Sequence, residues 1–90
     1  MTILYFANIR QLTGCKEEQW TKAAPVLRDL LTGLVAEHGA ALAQWLFEGD
    51  KLNRWISIFV NGRDVVHLKG LETPLNSDDV VTIFPPVAGG

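Results

Sequence analysis

Ninety residues make one domain near the lower end of the usual size range, with room for only a limited core. Hydrophobic residues make up 48% of the chain and charged residues 20%, the composition of an ordinary soluble globular protein rather than a disordered one. The formal net charge of -2 argues against nucleic acid and against an anionic membrane surface, both of which call for a basic patch, and is compatible with a basic protein partner.

Ile3 to Ile9 is short, aromatic and β-branched, and predicts a strand; Thr13-Gly14 predicts the turn that ends this unit. Glu17 to Lys22 predicts a weaker strand, paired with the first as a hairpin, with Trp20 inward and charged neighbours on a solvated edge. Pro25 opens a helix, at a position where proline is tolerated in the first turn. Leu27, Leu30, Leu31, Leu34 and Val35 then recur at three- and four-residue spacing, the stripe of an amphipathic helix, and Gly39 after His38 stops it. Ala40 to Phe47 predicts a second, short helix, and Glu48-Gly49-Asp50-Lys51 a polar loop.

Trp55 to Val60 predicts a strong strand with Ile56, Ile58 and Val60 on one face. Asn61-Gly62, both tolerant of positive φ, turns it back toward a short return strand at Val65 to Leu68. Gly70 to Leu75 reads as a loop, Asn76 to Asp79 as a polar turn, and Val80 to Phe84 as the last strand. Pro85-Pro86 stops that strand, because proline has no N–H to donate to a ladder. The order β, β, α, short α, β, β, β implies an α+β roll, one mixed sheet wrapped around one main helix. Residues 1–85 form the domain and residues 86–90 a tail without regular structure.

A single cysteine, Cys15, excludes an internal disulfide, and no signal peptide or membrane-spanning run is visible, which points to the cytoplasm.

The chemistry lies in how the chain ends. Beyond Pro85, five residues reach roughly 15 to 18 Å at about 3.3 to 3.6 Å each, long enough to thread into a pocket on another protein. Glycine lets backbone pass a narrow channel, so Gly89 and Gly90 leave a terminal carboxylate with no side chain beside it. Such a carboxylate can be adenylated. Sulfur attack on the acyl adenylate then yields a thiocarboxylate, and lysine attack yields an isopeptide bond.

The residues FPPVAGG, preceded by VNGRDV, GLETPL and SDDVVTI, together with YFANIRQLTG at the start, resemble the MoaD-type small subunit of molybdopterin synthase. The resemblance covers both ends and most of the C-terminal half, and the FPP triplet favours the MoaD branch of these sulfur carriers over the ThiS branch. It implies a ubiquitin-like β-grasp fold. It implies that Gly90, with Gly89 before it, is adenylated by a MoeB-type, ubiquitin-activating-like enzyme using ATP and becomes a thiocarboxylate. The tail would enter a MoaE-type large subunit and give its sulfur to cyclic pyranopterin monophosphate, building the dithiolene that binds molybdenum or tungsten. No bound cofactor is implied for this chain. Partner-binding positions carried over are Phe6, Arg10, Phe84, Pro85, Pro86, Val87 and Ala88.

Extra length around Cys15 to Ala24 and Glu48 to Trp55 departs from the compact members. Longer relatives include carriers for cysteine synthesis and archaeal-type protein modifiers, so conjugation through Gly90, or service to cysteine or thiamine synthesis, stands beside the molybdopterin reading. Phe6 and Phe84 fit either a core or an exposed docking face. Cys15 reads as structural or incidental, Asp78-Asp79 as a solvated turn, and Trp20, Trp45 and Trp55 as packing. His38 and His67 read as surface positions too far apart in sequence for a metal pair, and no metal site is predicted.

Overall fold

The computed structural model describes residues 1–86. Its elements in chain order are β1 (Thr2–Tyr5), α1 (Ile9–Thr13), β2 (Glu17–Gln19), α2 (Leu27–His38), α3 (Ala40–Leu46), β3 (Phe47–Glu48), β4 (Lys51–Leu52), β5 (Ser57–Val60), β6 (Arg63–Asp64) and β7 (Val80–Phe84), with 3-10 turns at Val65–His67 and Gly70–Glu72. Five strands form one sheet in the order β2-β1-β7-β5-β6, in which β1 and β7 run parallel and the other neighbours antiparallel. The second sheet is the small β3–β4 hairpin.

The inward sheet residues Ile3, Tyr5, Ile58, Val60, Val81 and Ile83 share one buried cluster with Leu27, Leu30, Leu31 and Leu34 of α2 and Leu42 and Leu46 of α3. Each leucine or isoleucine fully removed from water contributes about 1.5–3 kcal/mol, so this cluster dominates stability. Val26 precedes α2 with an extended backbone, and its N–H donates to the Asp29 carboxylate at 3.3 Å. Gly39, at φ 102°, ends α2 and redirects the chain into α3.

The predicted α+β roll is the observed arrangement, but several elements differ in extent. The first strand stops at Tyr5 rather than Ile9: Ala7 adopts a left-handed backbone, φ 52°, and Ile9 begins a short helix capped by Gly14. Pro25 lies ahead of α2, not within its first turn; its carbonyl accepts from Leu75 N–H at 3.0 Å. Asn61 (φ 52°) and Gly62 (φ 82°) make a two-residue turn, so the return strand begins at once, at Arg63. It does not extend over Val65 to Leu68, because the Asp64 carboxylate accepts from Val66 N–H at 3.0 Å and starts a 3-10 turn there. The polar loop from Glu48 to Lys51 is the turn of the β3–β4 hairpin.

Some side-chain placements also change. Trp55 is 67% exposed rather than packed, since the strand starts only at Ser57. Asp79 is buried rather than solvated. Its carboxylate accepts from Asn61 Nδ2 at 2.9 Å and Asn76 N–H at 2.8 Å, building the turn before β7. His38 is not a surface residue: its Nε2 lies 2.7 Å from the Glu18 carboxylate, and its ring stands edge-on to Tyr5 at 6.1 Å.

The Tyr5 hydroxyl donates to the same Glu18 carboxylate. Burial first, then the hydrogen bond and negative charge of Glu18, push this hydroxyl above the ordinary phenol range. The folded chain thus keeps a proton that the unfolded chain releases near pH 10 or so. The stability this contributes is complete below that pH and is lost progressively as pH rises above it toward the higher folded value. Tyr5 is the sole tyrosine. Its tyrosinate absorbance should appear in alkaline titration only together with loss of the circular-dichroism signal; tyrosinate in a chain still folded would contradict the burial argument.

Gly33 lies under the Trp20 ring, where an added Cβ would overlap the indole carbons. Alanine gains about 1 kcal/mol of helix propensity over glycine, against an overpacking cost of about 1–3 kcal/mol. Gly33→Ala should therefore lower the urea midpoint, and an unchanged or higher midpoint would show that Trp20 yields.

Candidate functional site

Strand geometry sends alternate side chains to opposite faces of a sheet. With Ile3, Tyr5, Val81, Ile83, Ile58 and Val60 committed to the core, the other set faces away from α2. Leu4, Thr82 and Phe59 stand side by side on β1, β7 and β5, each half-buried. Toward the C-terminal end of β7, Ser57 pairs with Phe84, and Phe6 N–H donates to the Ile83 carbonyl at 3.2 Å.

This register gathers three rings. Phe6 stacks on Phe84 with centroids 4.6 Å apart and planes 24° apart, and Phe59 meets Phe84 edge-on at 5.6 Å and 82°. Each such pair is worth about 0.5–1.5 kcal/mol beyond its buried area. Arg10 closes the strip on the β1 side. The left-handed Ala7 folds α1 back, so the Arg10 guanidinium lies 5.4 Å from the Phe6 centroid while its Nε donates to the Tyr5 carbonyl at 2.8 Å.

The aromatic strip ends where the chain leaves the sheet. Phe84 is the last residue of β7, followed by half-buried Pro85 and exposed Pro86. Of the predicted site residues, Phe6, Arg10, Phe84, Pro85 and Pro86 therefore come together at one end of one face. Val87, Ala88, Gly89 and Gly90 lie outside the described residues. The choice between core and docking face for Phe6 and Phe84 resolves into neither extreme: both are half-buried, on the face away from the helix. Rings and one guanidinium can recognise a partner but do not themselves activate a nucleophile.

Phe59 was not among the predicted site residues. Its signal was present: placing Ile56, Ile58 and Val60 on one face puts Phe59 on the other, in line with the residues of β7. Cys15 is half-buried and packs against the core. Among the described residues, no three His, Cys, Asp or Glu side chains gather as a metal site, and no helix is long and apolar enough to cross a membrane.

Comparison with known proteins agrees with this geometry. The chain is 37% identical over 91 residues to small archaeal modifier protein 3 of Haloferax volcanii, covering 100% of this chain and 98% of that one. The solution structure of small archaeal modifier protein 1 from Methanosarcina acetivorans matches with a TM-score of 0.84 and 35% identity, over 99% of this chain and 94% of that one. A chain of the Amycolatopsis orientalis BexX/CysO complex matches with a TM-score of 0.85 and 30% identity, over 99% and 98%. The fold is the ubiquitin-like β-grasp. The ThiS family model matches residues 3–90, and the chain belongs to the ThiS family.

Proposed function

We propose that this chain is a carrier protein that works through the carboxyl group of Gly90, as a sulfur carrier of the ThiS/MoaD type. The observation that carries the reading is the Phe6–Phe84–Phe59 strip, which runs to the point where Pro85 and Pro86 release the chain from the sheet. A docking face and the exit of the reacting segment are thereby held in one rigid frame. The family match, which runs through residue 90, supports placing the chemistry on Gly89-Gly90.

In the proposed reaction, a Gly90 carboxylate oxygen attacks the α-phosphorus of ATP on an activating enzyme of the MoeB type. Pyrophosphate leaves and an acyl adenylate forms. A sulfide-level sulfur nucleophile then attacks the acyl carbon and displaces AMP, leaving a thiocarboxylate. The strip and Arg10 hold the domain against the enzyme. Pro86, Val87 and Ala88 thread the glycines, whose lack of side chains allows close passage. For the acceptor, our reading is cyclic pyranopterin monophosphate within a MoaE-type subunit, supported by the FPPVAGG, GLETPL and YFANIRQLTG segments.

A second fate of the same adenylate has its own support. Lysine attack in place of sulfur would make the chain a protein modifier, and the relative matched over its whole length is named a modifier protein. The likeness to a chain of the BexX/CysO complex supports a carrier that works on a partner protein other than a MoaE-type subunit.

Intact mass of the full chain, after incubation with the activating enzyme from the same source, ATP and sulfide, tests the proposal. The expected result is a gain matching replacement of one carboxylate oxygen by sulfur, abolished by one residue appended after Gly90. No gain with an enzyme shown to be active would overturn the sulfur-carrier reading. Isopeptide-linked adducts on lysines of other proteins would favour the modifier fate.

A further inference from the structure

Three polar segments, at Asn61-Gly62, Lys69 to Pro74 and Asn76 to Asp79, converge on a groove of about 420 Å³ beside the start of β7. Its apolar lining comes from Val60, Leu68 and Pro74. Hydrogen bonds fix both walls. On one side Asn61, at φ 52°, donates its N–H to the Val80 carbonyl at 2.8 Å, and its side-chain oxygen accepts from Val80 N–H at 2.9 Å. Its Nδ2 donates to the buried Asp79 carboxylate at 2.9 Å, and Asn76 N–H donates to the other Asp79 oxygen at 2.8 Å. On the other side the buried Thr73 hydroxyl donates to the Gly70 carbonyl at 2.7 Å and accepts from Lys69 N–H at 3.2 Å. The groove is therefore preformed, with its buried polar groups already paired.

What the groove leaves unpaired is cationic. Arg63, on the edge strand β6, and Lys69 both line it and are exposed. Neither forms a salt bridge among the described residues, where the ion pairs use Lys22, Arg28, His38 and Arg54. Two cations beside one internally bonded carboxylate make a positive rim on a chain whose net charge is -2. A preformed, mostly apolar cleft with a few placed charges has the character of a binding site. Its complement is an aliphatic group next to carboxylates. Two cations are too few to track a nucleic-acid backbone. Both stand exposed on the rim rather than enclosed, which suits side chains projecting from a segment laid across the groove. The groove and the tail exit also lie at opposite ends of β7, since Val60 pairs with Val81 and Ser57 with Phe84. At about 3.3 Å per residue, Val80 and Phe84 are roughly 13 Å apart.

We infer that this groove binds an extended acidic segment of a second protein, with an aliphatic side chain against Val60, Leu68 and Pro74 and carboxylates on Arg63 and Lys69. A segment seated there leaves the exit at Pro85 and Pro86 uncovered. The chain can then be held by one partner while its tail is engaged by another. The groove and its occupant do not depend on the carrier reading above, and they add a second interaction surface to it.

The test is amide NMR of the full chain, titrated with a synthetic peptide in which one leucine is flanked on each side by two glutamates. The same peptide with glutamines for glutamates, and a short oligothymidylate, serve as controls. The expected result is saturable shifts at Val60, Arg63, Leu68, Lys69 and Thr73, with a Kd of about 1 mM or below. The amides of Phe6 and Phe84 should stay in place. Binding should weaken about fivefold with the glutamine peptide, or in the double variant Arg63→Gln, Lys69→Gln, as expected for two exposed charge pairs. It should also weaken as salt is added. Both substituted side chains are exposed, and the amide spectrum of the double variant shows directly whether it is folded. Absence of saturable shifts at the groove would overturn the inference. So would shifts centred on Phe6 and Phe84 instead, or equal binding of the glutamine peptide or by the double variant. Tighter binding of the oligothymidylate at the same residues would assign the groove to nucleic acid and overturn the acidic-segment occupant. None of these outcomes bears on whether Gly90 is adenylated.

Discussion

The outer face depends on the parallel pairing of β1 with β7. Thr2, Ile3, Leu4 and Tyr5 lie beside Val80, Val81, Thr82 and Ile83, so the first and last strands occupy the middle of the five-stranded sheet. Both helical layers and the β5–β6 hairpin are formed by the chain between them. Parallel neighbours require such a crossover, and the contact is necessarily long-range. What it delivers is local: Phe6 and Phe84, from opposite ends of the sequence, become stacked neighbours at the exit of β7.

The same pairing divides the labour of each strand. Inward residues of β1, β5 and β7 are essentially sealed from water against α2 and α3, and carry stability. Outward residues such as Leu4, Phe59 and Phe84 are half-buried and gain only part of the transfer energy of a core side chain. Three phenylalanines left so placed on a sheet face are stabilised by packing on one another, with the Arg10 guanidinium over one end. Substitutions on the two faces should therefore separate: inner-face changes act on folding, outer-face changes chiefly on recognition.

Much of this was legible in the sequence, for identifiable reasons. The α2 stripe at Leu27, Leu30, Leu31 and Leu34, the Asn61-Gly62 turn and the proline stop after Phe84 each have a local mechanism that tertiary structure did not override. The failures also have local causes. YFANI reads as one continuous strand because nothing in its composition announces the left-handed Ala7. VVHL reads as a strand because its apolar residues outweigh the single Asp64 carboxylate that captures Val66 N–H. His38 and Glu18 are distant in sequence, and only the packing of α2 against β2 reveals their contact. Phe6 and Phe84 were identified by resemblance rather than by pattern, since their apolar strands do not declare which face is wet. Phe59 was decidable from alternation alone.

The arrangement also bears on how tightly such a protein should hold its partners. Immobilising a side chain at an interface costs about 0.5–1.5 kcal/mol. Phe6, Phe84 and Phe59 already restrain one another in the free chain, and Arg10 is held by the Tyr5 carbonyl. Much of that cost is therefore met before docking. Against this, half-buried rings have less remaining surface to remove from water than exposed ones, so the hydrophobic gain on docking is also reduced. Preorganisation thus favours a well-defined pose, while the limited area keeps the affinity moderate. On the proposed function, that combination would let the domain dock in one register and then leave one partner for the next.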